Sequence, residues 1–180
     1  MKNRSVHRLA FSALLAAIYA ALTTALSFMS FGTVQLRVAE ALCVLPFFFP
    51  WSTWGLVLGC LLANLLSPLG ALDTVFGTLA TLLSCLCIAV IGKEGRERSW
   101  GHCIAACCMP VLWNGLIIGC VLALTGEYTL VMFPVTALMF GGMVALGEAA
   151  VMFVLGLPLL RWLPGSRVMK LLNEKLDIGE

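Results

Sequence analysis

Long apolar stretches, broken by short polar clusters, dominate this chain. A hydrocarbon core of ~30 Å needs about 20 apolar residues per helix, and the clusters cut the sequence at roughly that interval. The pattern predicts spans near residues 9–29, 37–50, 52–67, 72–91, 102–124 and 134–160. The second and third are short and divided by Pro50. Pro46 and the run Phe47, Phe48, Phe49 predict that the second helix bends or ends early, with Trp51 and Trp54 following at an interface. The first run exceeds the roughly 7–15 apolar residues of a secretory signal and reads as a retained span. At the other end Val168, Leu171, Leu172 and Leu176 recur at helical spacing with Arg167, Lys170 and Lys175 between them, which predicts a short surface helix over residues 165–180.

Composition agrees with lipid as the solvent: 61% of the 180 residues are hydrophobic and 11% charged, with a mean hydropathy of +1.03. Too little polar surface remains to cover a water-soluble fold, so the expectation is an all-α integral membrane protein with residues 1–180 as one membrane domain. Charge orients it. Lys2, Arg4 and Arg8 precede the first span, Lys93, Arg96 and Arg98 lie between the fourth and fifth, and Arg161, Arg167, Lys170 and Lys175 follow the last. Basic residues accumulate on the cytoplasmic side, and only an even number of spans puts all these groups there. Six spans with both termini cytoplasmic follow as the expectation. The connections then left outside, 30–36, 67–72 and 125–131, are too short to fold alone.

A charge within a membrane helix costs at least ~2.5–3.5 kcal/mol near the centre, so each needs an internal partner or a function. Arg37 and Glu40 stand near the outer end of the second span, Asp73 opens the fourth, and Glu148 lies near the middle of the sixth. Glu127 falls in an outer loop, where water explains it. Asn64 sits near the outer end of the third span, and Trp113 and Asn114 follow Pro110 by about a turn in the fifth. Arg37, Glu40, Asn64 and Asp73 all map to the outer half, with Glu148 and Asn114 placed to floor one cavity. Three acids against one base favour a cationic or donor-rich solute. A structural account stands beside it: Arg37 pairs with Glu40 three residues on, while Asn64 and Asn114 lock helices together.

Ala10, Ala13, Ala17 and Ala21 line one face of the first span, a spacing that permits close helix contact either inside the protein or with a partner. Gly55 with Gly59, and Gly115 with Gly119, read as packing pairs. The eight cysteines all fall in apolar stretches with no Cys-x-x-Cys pair, so they read as small packing residues, and His7 and His102 as interfacial. No metal site is expected. Gly92-Lys93 is followed by Glu94 rather than Ser or Thr, so there is no P-loop, and no nucleophile elbow or zinc-protease motif occurs. An intramembrane enzyme would need a nucleophile and base that are absent from the pattern.

The segment Phe31-Gly32-Thr33-Val34-Gln35-Leu36-Arg37-Val38-Ala39-Glu40-Ala41-Leu42, followed by Leu45-Pro46-Phe47-Phe48, resembles the signature of the QueT family. So do Gly59-Cys60-Leu61-Leu62-Ala63-Asn64-Leu65, Asp73-Thr74-Val75-Phe76-Gly77-Thr78-Leu79-Ala80, Trp113-Asn114-Gly115 and Gly147-Glu148-Ala149. The resemblance covers residues 9–160. It implies an S component of an energy-coupling factor (ECF) transporter in a bacterial cell membrane: a six-helix bundle binding a queuosine precursor such as the deazaguanine preQ1. Gln35, Arg37, Glu40, Asn64, Asp73, Trp113, Asn114 and Glu148 would then bind substrate, and Ala13, Ala17 and Ala21 would face the transmembrane coupling subunit. Two partner ATPases would consume ATP; no cofactor of its own and no nucleic acid partner are implied. A carboxylate accepts the paired donors of a guanine-like edge, and Trp113 stacks on its ring, though which of Glu40, Asp73 and Glu148 serves is open. A proton-coupled carrier with Glu148 as proton site, or an S component for another vitamin-like solute, are the competing expectations.

Overall fold

The computed structural model describes residues 4–31, 34–67, 70–94, 99–126 and 131–176. Lys2, Arg96, Arg98 and Glu127, named above, lie outside them. All regular structure among the described residues is helical. Helix α1 runs Arg4–Ala25, followed by the single turn α2, Ser27–Ser30. A 3₁₀ helix, Val38–Phe47, leads through a short turn at Pro50–Ser52 into α3, Thr53–Asn64. Gly70, at φ 59, makes the left-handed turn that reverses the chain. A π-helical turn, Asp73–Gly77, opens α4, Thr78–Glu94. Helix α5 is Trp100–Thr125; α6 is Phe133–Val151, which runs on through a second π turn, Met152–Gly156, into α7, Leu157–Trp162. The amphipathic α8, Arg167–Leu176, closes the chain.

Among the described residues, four helical stretches are long and apolar enough to cross a membrane: Ser5–Ala25, Asp73–Lys93, Trp100–Thr125 and Phe133–Gly165. Of the six spans read from periodicity, the first, fourth, fifth and sixth reach that length. The stretches 37–50 and 52–67 form a ten-residue 3₁₀ helix and a twelve-residue α-helix, about 20 and 18 Å long at their usual rises. Neither reaches across ~30 Å of hydrocarbon by itself. The 3₁₀ helix ends at Phe47, just after Pro46, as the sequence suggested. Its residues are buried nearly all round, from Ala39 to Phe47, so its apolarity answers to protein on every side rather than to lipid.

The glycine pairs pack internally. A Cβ at Gly55 would strike the backbone of Ser12, and one at Gly59 would come within 2.7 Å of the Ala16 carbonyl and 2.8 Å of the Tyr19 Cβ, so α3 lies close on α1. On α5, Gly115 and Gly119 meet Gly141 and Ala145 of α6 in the same way. The α1 face toward α3 therefore carries Ser12, Ala16 and Tyr19, while Ala10, Ala13, Ala17 and Ala21 remain exposed on the other side. Cys43, Cys60, Cys85, Cys103 and Cys107 sit in the main apolar core with Tyr19, Val44, Phe47, Leu56, Ile88 and Met152. All eight cysteines are free thiols. A second cluster joins Leu15 of α1 to Phe49, Leu163 and Met169, which seats α8 on α1.

Candidate functional site

The site begins where the chain leaves helical geometry. Residues 35–37 carry no regular structure, and Gln35 and Arg37 are buried. Arg37 stands ahead of the 3₁₀ helix at φ −82, ψ 88, so the three-residue spacing does not put it on the face of Glu40. Its guanidinium turns to Asp73: Nη2 donates to Oδ2 at 3.2 Å and to Oδ1 at 3.4 Å. Nε donates to the Ser30 carbonyl at 3.4 Å, and the guanidinium lies 5.4 Å from the Phe31 ring centroid. The Arg37–Glu40 pair of the structural account is thus replaced by Arg37–Asp73, a contact between elements that helical spacing cannot reveal.

Glu40 is held by other groups. Its Oε1 accepts from the Tyr19 hydroxyl at 2.5 Å and from Thr81 Oγ1 at 3.1 Å, and its Oε2 from the Cys43 thiol at 3.1 Å. Thr81 Oγ1 also meets Cys60 Sγ at 3.2 Å. Asn64 Nδ2 donates to Cys60 Sγ at 3.3 Å and to the Asp73 carbonyl at 3.1 Å. One buried network consequently runs from Tyr19 through Glu40, Thr81, Cys60 and Asn64 to Asp73 and Arg37. The π turn shapes it: a Cβ at Gly77 would come within 2.7 Å of Asn64 Nδ2 and 3.0 Å of Asp73 Oδ1. Tyr19, Thr81, Cys43 and Cys60 escaped the sequence reading. A phenol in the middle of an apolar first span was the available signal, since buried tyrosine hydroxyls usually find a partner.

Glu148, Trp113 and Asn114 are different. Glu148 is 0% exposed, and neither carboxylate oxygen has a hydrogen-bond partner. Both side-chain polar atoms of Asn114 and the indole Nε1 of Trp113 are likewise buried without partners, as are Arg37 Nη1 and Asn64 Oδ1. Gly147 abuts the Gln35 backbone so closely that a Cβ there would strike it, which brings Glu148 beside residues 35–37. Glu148 interacts electrostatically with Glu40 and Arg37. Gly115 faces Ala145, so Asn114 lies about one helical turn from Glu148 along the antiparallel α5–α6 pair. Helix α5 is continuous through Pro110. Ser52 Oγ, Thr53 Oγ1 and Thr78 Oγ1 are unpartnered too. Buried polar groups are nearly always paired, and a charged exception such as Glu148 marks a place where something else supplies the partners.

A surface groove of about 610 Å³ lies between α5 and α6 and is lined by Leu112, Leu116, Leu138 and other apolar or small residues. It faces outward and includes none of the polar set, so it is a packing furrow rather than a solute site. Among the described residues, no group of three or more His, Cys, Asp or Glu side chains gathers to hold a metal.

These features define a multi-pass helical membrane protein with a buried, incompletely satisfied polar cluster enclosed by its helices. Comparison with known proteins places it more closely. The sequence profile described as QueT transporter matches residues 9–164, and the chain belongs to that family. It is 25% identical over 191 residues to the queuosine precursor transporter QueT of Lactococcus lactis subsp. cremoris (strain MG1363), a match covering 99% of both chains. No solved structure matches it.

Proposed function

We propose that this chain is the substrate-binding S component of an ECF-type importer, capturing a queuosine precursor, preQ1 or a related deazaguanine, at a bacterial cell membrane. The observation that carries the reading is the set of buried, unpartnered polar atoms on Glu148, Asn114, Trp113, Asn64 and Arg37. A small polar solute relieves such a set, and the relative's name supplies its class. Gln35, Arg37, Glu40, Asn64, Asp73, Trp113, Asn114 and Glu148 make up the site, some touching the solute and others holding those that do. The 3₁₀ helix and α3, too short singly, act as the second and third members of a six-part bundle with both termini cytoplasmic.

Energy comes from outside the chain in this proposal. Two ATPase subunits use ATP and a transmembrane coupling subunit docks on the exposed Ala13, Ala17 and Ala21 face of α1, opposite the face that packs on α3. The unpaired Glu148 carboxylate also favours a second reading, a proton-coupled carrier working alone. Uptake of labelled preQ1 by cells carrying this chain alone, set against cells carrying it with the coupling module, separates the two. Uptake only with the module supports the S component; equal uptake without it supports the carrier.

A further inference from the structure

The three buried carboxylates are not equivalent, and their partners divide the work. Glu40 already accepts from Tyr19, Thr81 and Cys43, and Asp73 accepts from Arg37. Glu148 accepts from nothing. Burying a carboxylate with no donor is costly, so both its oxygens await donors that the folded chain lacks. The free atoms of the other site residues indicate what those donors belong to. Asn64 Oδ1 and Asn114 Oδ1 are acceptors, whereas Arg37 Nη1, Trp113 Nε1 and Asn114 Nδ2 are donors. A simple ammonium would satisfy Glu148 but leave every free donor unpaired. A flat heterocycle edge that carries two adjacent N–H donors beside a carbonyl or ring-nitrogen acceptor answers both halves.

Resting on the proposed function above, we infer that Glu148 is the specificity-determining carboxylate: it takes the ring N–H and exocyclic amino group of a 2-amino-4-oxo pyrimidine ring in a parallel pair of hydrogen bonds. The free donors beside it take the ring's acceptors. Glu40 is a positioning residue, held by donors from α1, α4 and its own 3₁₀ helix. A carboxylate accepting two parallel donors is among the stronger polar contacts proteins make. A site built to bond a particular N–H rejects the analogue that lacks it, because its own buried acceptor is then left bare.

The test is calorimetric binding to the purified full chain of 7-deazaguanine, of 7-deazahypoxanthine, which lacks the 2-amino group, and of preQ1, which adds an aminomethyl cation. The parent should prefer 7-deazaguanine to 7-deazahypoxanthine by ~30-fold or more, the usual scale for a desolvated charged contact. E148Q should lose that preference to within a few-fold, with its melting temperature unchanged or raised, since the free protein loses no bond. E40Q should melt lower, because Glu40 accepts three bonds within the free protein. The inference is overturned if the parent shows no such preference, which requires no variant to fold, or if E148Q retains it. It is equally overturned if E148Q loses only the advantage of preQ1 over 7-deazaguanine, because Glu148 would then hold the cation. A parent that binds none of the three removes the proposed function and this inference together, whereas one that binds all three but ignores the 2-amino group removes the inference alone.

Discussion

The Tyr19 hydroxyl donates to Glu40 Oε1 at 2.5 Å, tying the middle of α1 to the first turn of the buried 3₁₀ helix. Both residues are fully buried, so no water stands ready to replace either. Replacing Tyr19 with Phe leaves Glu40 with Thr81 and Cys43 and removes its shortest contact. The expected cost is about 1–3 kcal/mol, the usual penalty for depriving a buried polar group of a partner. Denaturant unfolding in detergent checks it, and an unchanged midpoint would show that the hydroxyl contributes nothing.

Arg37 and Asp73 make the second internal tie. Asp73→Asn strands a buried cation and should destabilise by ~3–5 kcal/mol, while the paired replacement Arg37→Met with Asp73→Leu should recover part of that loss. A double-mutant cycle on unfolding free energies decides it. Strict additivity of the two single changes would mean that the ion pair carries no coupling.

Glycines with and without space around them give a matched contrast. Gly147→Ala drives a methyl into the Gln35 backbone and should cost about 1–3 kcal/mol, with ligand affinity falling as the segment at residues 35–37 shifts. Gly142 has nothing within 4 Å of its added Cβ. Its replacement by Ala should be neutral or stabilise by roughly 0.5–1 kcal/mol, as for any open helical site. If both alanines behave alike, the close approach of α6 to residue 35 is wrong.

The two sides of α1 should separate assembly from folding. Ala13→Leu and Ala17→Leu fall on the exposed face and are expected to leave melting temperature and ligand binding intact while abolishing co-purification with the coupling subunit. Ala16→Leu points at Gly59 and should lower melting temperature instead. Normal uptake and co-purification by the Ala13 and Ala17 variants would remove that face from the assembly.

Met169 of α8 packs in one cluster with Leu15 of α1, and the proposed topology puts both termini in the cytoplasm. Reporter fusions at each terminus should both report the cytoplasm. Opposite locations would overturn the arrangement.

Much of this was legible in the sequence because it depends on local averages. Apolar run length against the thickness of a bilayer identified a membrane protein, and the four longest runs became its four long helices. The isolated polar residues were visible for the same reason: Arg37, Glu40, Asn64, Asp73, Asn114 and Glu148 stand out against apolar neighbours, and all are buried. Pro46, near the end of the 3₁₀ helix, was a local stop of the kind a chain announces. Partner choice was not local. Arg37 and Glu40 lie three apart, yet the chain is irregular at one and 3₁₀ at the other, so each side chain turned to a different element. Nor does periodicity distinguish a stretch that meets lipid from one that meets protein, which is why 37–50 read as a full span and folded as a short buried helix. Only packing decided that Glu40 has three donors, Asp73 has an arginine and Glu148 has none, because a hydrogen bond is a property of distance and angle between elements rather than of residue type.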